Sequence, residues 1–335
     1  DPERGATTVK QDIFGDSFTT IKYLDQGWSP ADSLWFYNTT QGSNMMPYDF
    51  FLELEQVGMS ELFRSHENMN RYRYLQQKTS PNNPDALPVG WVKDDYKGKN
   101  YVGLTCAACH TGQINYRGTG IRIDGGPAGA DMETLIKDIA HAMQATLNDE
   151  AVRTRFVKNV LARGNYTTET EVLNDLNKYG QRLTTYTIIN RSPTHYGYAR
   201  LDAFGRIYNR VLEHIINERE LRDLLRDRRI MRDDGMTEEE LNSILQDADK
   251  VLSGEQRDHI VERLSKVLTK WQLGRLRKEL FNPASAPVSY PFLWDIPQHD
   301  YVQWNGLAAN AGLGPVGRNT GEVIGVFGTL DWAEA

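Results

Sequence analysis

Cysteine is almost absent. The chain of 335 residues holds two, Cys106 and Cys109, three positions apart. That scarcity excludes a disulfide framework, which small secreted folds build from several bridges. It also leaves no second cysteine-rich knuckle to complete the four ligands of a structural zinc site. Long apolar runs are missing too, and nothing approaches the roughly 18 residues that span a bilayer. Basic charge is not in excess: 38 Lys and Arg against 45 Asp and Glu give a net charge of −7. The electrostatic footprint of a nucleic-acid binder is therefore lacking. No phosphate-cradling motif is present, because the glycine-rich stretch "YRGTGIRIDGGPAGAD" (residues 116–131) matches neither GxGxxG nor a P-loop. The first residues, "DPERGATTVK", have no initiator Met and no signal-like apolar core, and they read as a mature end left after export. Three glycosylation triplets, at Asn38, Asn165 and Asn190, arise easily by chance and carry little.

What is present is the way the two cysteines are placed, in "TCAACHTG" from Thr105 to Gly112, with His110 directly after the second. As zinc ligands, adjacent Cys109 and His110 would be an awkward pair on one tetrahedron. A thioredoxin-like pair needs its CxxC after a strand within a βαβ unit, and the flanks "YVGL" and "TGQINYRG" do not make that case. C-x-x-C-H is the attachment signature of haem c: the two thiols add across the haem vinyl groups, and the next residue turns its imidazole to the iron. Only this reading explains why the histidine follows at once. The alternative is a coincidental cluster around a buried pair of free thiols. On the haem reading Cys106, Cys109 and His110 hold the cofactor, and His110 is the metal ligand. Arg117 and Arg122 are candidates for charge-assisted bonds to its propionates, against the default of solvated or structural arginines.

The remainder sorts into three regions. Residues 1–216 read as the haem domain with an aromatic N-terminal wrap, in which Trp28, Trp35, Phe36, Tyr37, Tyr48, Phe50 and Phe51 either cover a flat macrocycle or form an ordinary core of irregular segments. "SPNNPDALPVGW" (80–91) is a loop, as is 116–131. The spacing then predicts helices. Met132, Leu135, Ile136, Ile139 and Met143 form one stripe with Asp131 as N-cap, and Val152, Phe156, Val157, Val160 and Leu161 form another. A Thr168/Glu171 capping box opens a third helix. One long helix is expected through "HYGYARLDAFGRIYNRVLEHIINERELRDLL". Residues 217–282 read as a charged helical insertion with stripes Leu241–Leu252 and Ile260–Trp271. Residues 283–335 are rich in proline and glycine, lack helical periodicity until 320–327, and are expected to close the haem pocket. The fold class is mainly α with long irregular segments, a cytochrome c-like haem core with large extensions.

"LTCAACHTGQINYRGTGIRIDGGPAGAD", "GYARLDAFGRIYNRV", "PFLWDIPQHDYVQWNG" and "RNTGEVIGVFG" resemble the N-terminal half of the rubber oxygenase-like di-haem cytochromes, distant relatives of bacterial di-haem cytochrome c peroxidases. The resemblance covers most of the chain outside roughly 220–280. It implies thioether roles for Cys106 and Cys109, a proximal role for His110, and a haem-side tryptophan at Trp294 or Trp304. It also implies a second haem-bearing half or subunit, since family members carry a second CxxCH that this chain lacks, and an apolar small-molecule or polymer substrate.

Three functions are weighed. An oxidoreductase would use O2 or peroxide at an open distal face, with Trp294 and Trp304 as catalytic candidates. An electron-transfer cytochrome would instead close the iron with a second axial ligand and meet a redox partner protein. Its candidates are His66, His141, His195, His214, His259 or His299, or Met45, Met46, Met59 or Met69. The third is a subunit with a structural or sensory haem. Haem c chemistry and the N-terminus point to a periplasmic or extracellular place.

Overall fold

Two hairpins frame the cysteine motif. The computed structural model describes all residues except 1–3, 10–13, 15–16, 232–234, 249–250, 253, 304–305 and 330–335, and Trp304 falls outside it. In chain order the first elements are β1 (Thr20–Tyr23), α1 (Pro30–Asn38), β2 (Met46–Pro47), α2 (Tyr48–Glu53) and α3 (His66–Arg71). Then come β3 (Trp91–Tyr96), β4 (Lys99–Leu104), β5 (Thr111–Tyr116) and β6 (Thr119–Asp124). β3 and β4 pair antiparallel through Lys97-Gly98, and β5 and β6 through Arg117-Gly118. All four turn residues have positive φ (52° and 74°, 45° and 76°). That backbone matches the twist of two-residue hairpins, and a glycine in the second position adopts it without strain. The flanks of the motif are thus strands, and 119–124 is a strand where a loop was expected. Alternation in "GQINYRGTGIRID" is the missed signal. Each hairpin gains a third strand: β2 beside β4, antiparallel, and β1 beside β6, parallel.

Helices follow: α4 (Met132–Asn148), α5 (Glu150–Ala162) and α6 (Glu169–Ile189). Asp131 caps α4, its Oδ1 accepting Thr134 N–H at 3.1 Å, and Thr168 with Glu171 closes the expected capping box on α6. The apolar faces of these helices meet Phe50, Phe51, Leu52 and Trp91 in the main core. Phe51 stacks on Trp91 at 4.8 Å and Phe50 on Tyr166 at 5.4 Å. Each such ring removed from water contributes roughly 1.5–3 kcal/mol. The N-terminal aromatics therefore divide: Tyr37, Tyr48, Phe50 and Phe51 are core, while Trp35 is 71% exposed.

β7 (Arg200–Leu201) leads into α7 (Ala203–Ile215), α8 (Glu218–Arg226), α9 (Arg228–Met231), α10 (Glu238–Ile244), α11 (Gly254–Val267) and α12 (Lys270–Leu280). The single long helix expected here is broken at Ile216-Asn217. Asn217 takes a cap conformation and accepts Glu220 N–H at 2.8 Å. The two expected stripes break likewise, at Leu245 after α10 and at Thr269, which caps α12. Leu221, Leu225, Ile230, Leu241, Ile244, Ile260 and Leu264 belong to a second core separate from the first. Asn209 fastens the two ends of this lobe: its Nδ2 donates to Asn190 Oδ1 and the Asn282 carbonyl, and its Oδ1 accepts Asn282 N–H at 2.8 Å.

The last region has β8 (Val288–Ser289) on β7, a pair β9 (Tyr301–Val302) and β10 (Ala308–Ala309), and α13 (Gly314–Gly325). α13 starts earlier than the sequence pattern suggests and packs on α7, with Gly325 allowing Ile207 to approach. Helix predominates, with thirteen α-helices among the described residues, but the small sheets carry the motif. The architecture is mixed α/β, with helix in the majority of its regular structure.

Candidate functional site

The stretch CAACH is the link between the two hairpins. Thr105 caps it, its hydroxyl accepting Ala107 N–H at 3.2 Å, and Cys106–Ala108 form one 3-10 turn. Cys109 N–H and His110 N–H both donate to the Cys106 carbonyl, at 3.2 and 2.9 Å, so the chain coils tightly over its own five residues. Gly90 permits the coil to sit where it does. Its φ is +76°, and a Cβ there would lie 2.1 Å from Ala108 N. Thr105 N–H donates to the Gly90 carbonyl at 2.8 Å, fixing the same approach.

The two thiols differ. Cys106 is exposed, and its Sγ lies 3.3 Å from Gln41 Nε2, while Gln41 Oε1 accepts Cys106 N–H at 3.2 Å. Cys109 packs against the core, and burial pushes its thiol up to about 12. Neither thiol is in a disulfide. Among the described residues no three His, Cys, Asp or Glu side chains converge as metal ligands. β4 precedes the motif, and its partners β2 and β3 are both antiparallel to it.

His110 is held from 181 positions away. Its Nδ1 lies 2.7 Å from the Pro291 carbonyl, which only accepts, so Nδ1 carries the proton. Nε2 is then the free lone pair. Burial lowers the imidazole pKa, and the Pro291 bond opposes this in part, so the ring is neutral near pH 7. Segment 290–294 is fastened just after that contact. Leu293 N–H donates to the Gly125 carbonyl at 2.9 Å, and Trp294 Nε1–H to the Asp124 carbonyl at 2.9 Å. Ala128 N–H in turn donates to the Cys109 carbonyl at 3.0 Å.

The remaining sequence candidates scatter. Arg117 occupies the tip of the β5–β6 hairpin, exposed, with its guanidinium 5.1 Å from the Tyr116 ring centre. Arg122 is 1% exposed, on β6. Trp294 is 55% exposed and stacks on Phe292 at 5.2 Å. Met45, Met46 and Met69 are core residues and Met59 is exposed. His195 lies 3.1 Å from the Thr134 hydroxyl, His214 donates to the Arg210 carbonyl at 2.7 Å, and His299 faces Asp295 at 3.3 Å. His66 lies in a surface cleft of about 440 Å³, and His141 and His259 are on exposed helix faces. Sequence reasoning missed Gln41, Gly90 and Pro291. Gly90 follows Pro88 in a turn-rich run, a visible sign of a close approach, but nothing local marks Gln41 or Pro291.

The donor set suits haem c: two unbridged thiols on one turn, and an imidazole with one nitrogen tethered to a carbonyl and the other free, as outer-shell bonds prepare metal-binding histidines.

No family model matches the chain, and no solved structure does. The chain is 26% identical over 348 aligned positions to the uncharacterized protein y4iJ of Sinorhizobium fredii (strain NBRC 101917 / NGR234), a match covering 91% of this chain and 44% of that protein. The chain thus spans less than half the length of the relative it resembles.

Proposed function

We propose that the chain is a c-type haem protein of the oxidoreductase class, with haem c attached through Cys106 and Cys109 and His110 as proximal ligand. The observation that carries this reading is the bond from His110 Nδ1–H to the Pro291 carbonyl. It fixes the tautomer, leaves Nε2 as the unprotonated nitrogen, and raises the basicity of that nitrogen. Bound there, haem iron would supply one-electron and O2 or peroxide chemistry. The chain's own part is to hold the thiols on one turn, to keep the imidazole neutral by burial, and to lock its rotation with segment 290–294.

Reaction with O2 or peroxide at an open distal face is favoured over electron transfer with a second axial ligand. His195, His214 and His299 are engaged elsewhere, and Met45, Met46 and Met69 are committed to the core. The substrate class is apolar, small or polymeric. Trp294 acts as a wall rather than a reacting group, since its indole N–H is bound to the Asp124 carbonyl. A second haem-bearing half or a redox subunit completes the assembly, a proposal that agrees with the longer relative. The place is the periplasm or outside the cell, where haem c is completed in bacteria.

Denaturing acid-acetone extraction tests the reading. Colour that stays on the polypeptide, and a chain mass raised by one haem, are expected. Pigment that extracts freely, or a mass equal to the bare sequence, would overturn it.

A further inference from the structure

Trp294 closes a ring of contacts that begins and ends at His110. Thr111, the next residue, stands opposite Asp124 in the β5–β6 register. The Asp124 carbonyl accepts Trp294 Nε1–H at 2.9 Å. Three residues back from Trp294, the Pro291 carbonyl meets His110 Nδ1 at 2.7 Å. The segment from Pro291 to Trp294 therefore bridges the imidazole to the strand that pairs with the imidazole's own flank.

The anchor of that bridge is fixed. Asp124 N–H donates to Gln26 Oε1 at 3.0 Å, and Gln26 Nε2 donates to the Asp124 carbonyl at 2.7 Å. The Asp124 carboxylate accepts from the Ser33 hydroxyl at 2.6 Å and from the Tyr37 hydroxyl. Backbone and side chain are both held, so the carbonyl has one direction. A supporting bond orients a site group only when its own anchor is rigid. Gly125 lets the indole come this close. Its φ is +70°, and a Cβ there would lie 3.1 Å from Trp294 Cδ1 and 3.2 Å from Nε1.

Leu293 N–H, bound to the Gly125 carbonyl at 2.9 Å, is a second point on the same segment. One point alone leaves the segment free to pivot and to swing Pro291 off the ring. Two points stop the pivot. The stack of Trp294 on Phe292 moves with the segment, since both rings belong to it.

We infer that Trp294 is a positioning residue for His110: its N–H bond to Asp124 keeps the Pro291 carbonyl on Nδ1 and so reserves Nε2 as the unprotonated nitrogen. Its effect on the imidazole stands alone. Its effect on iron rests on the haem function proposed above.

Nitrogen-15 NMR of the histidine rings reads the tautomer in the purified chain without haem, as set by its mass. The His110 signals are those missing from His110→Ala. Trp294→Phe keeps a ring on Phe292 and removes only the N–H, at a half-exposed position where folding survives. The ratio of Nδ1–H to Nε2–H tautomers should fall roughly fivefold, the worth of about one hydrogen bond. Gly125→Ala, which pushes the indole off the carbonyl, should shift it the same way. Phe292→Leu removes the stack but not the bond and should leave the ratio unchanged. In haem-bearing Trp294→Phe the ferrous iron–histidine stretching band should move down and the midpoint potential up, because the ligand loses basicity. A shifted tautomer in a chain that never takes haem upholds the positioning role and removes the haem reading alone. A ratio unmoved in Trp294→Phe, or moved as far by Phe292→Leu, overturns the role, and so does an unaltered chain protonated at Nε2. A band and potential that stay put in the haem-bearing variant overturn its effect on iron.

Discussion

His110 Nδ1 and the Pro291 carbonyl meet at 2.7 Å across 181 positions of chain, and this contact decides which imidazole nitrogen is left unprotonated. On the proposed haem c reading, His110→Ala removes the iron ligand and is expected to lower haem incorporation and to alter the absorption spectrum of whatever pigment remains. A variant with unchanged spectrum would place the iron ligand elsewhere. In the unaltered protein, carbon monoxide should bind the ferrous form readily and shift its main band; a spectrum indifferent to it would favour a second strong axial ligand.

The asymmetry between the thiols is measurable before any cofactor is attached. Cys106 is exposed beside Gln41, whereas burial pushes Cys109 up to about 12. Alkylation depends on the thiolate and on access. Iodoacetamide at pH 8 should therefore label Cys106 well before Cys109, and peptide mapping over time reads the order. Equal rates would mean that the motif turn is not formed in the unloaded chain.

Gly90 separates a steric demand from a conformational one. Gly90→Ala drives a Cβ into Ala108 N at a positive φ, and should cost about 3 kcal/mol. Gly98→Ala, at φ +74° with nothing within 4 Å, should cost only about 1 kcal/mol. Urea titration of the two variants gives the comparison.

His214 predicts an acid limb. Burial, then the Arg257 charge, lowers its pKa to about 3 from an ordinary 6.5; Arg210 and Arg182 add to the effect and the Arg210 carbonyl opposes it. The unfolded chain binds the proton first, so stability is full above about pH 6.5 and is lost as pH falls toward 3. His214→Gln should flatten that loss in a series of denaturant melts. A slope equal to that of the unaltered protein would assign the acid sensitivity to other groups.

Local chemistry was legible in the sequence where it was periodic or capped. Asp131, the Thr168/Glu171 box and the Met132–Met143 stripe each state their helix within a few residues. The hairpins were hidden because Tyr-Lys-Gly-Lys and Tyr-Arg-Gly-Thr look like glycine-rich loop until the alternation on both sides is read together. Asn217 was hidden because an N-cap inside a continuous apolar pattern changes nothing in the pattern itself. Of the candidate site, Cys106, Cys109 and His110 could be read directly. Gln41 and Pro291 could not, since their roles arise only from contacts 65 and 181 positions apart.

The placement of the motif between two hairpins has a consequence for the order of assembly. Both hairpins close over two-residue turns, so the coil carrying the thiols is built from contacts near in sequence and forms early. The tether on His110 depends on closing a loop of 181 residues and arrives late. Between those events the thiols are presented while the imidazole still rotates. On the haem c reading proposed above, the cofactor would be joined to a turn already shaped for it, and the segment around Pro291 would set the ligand's angle afterwards.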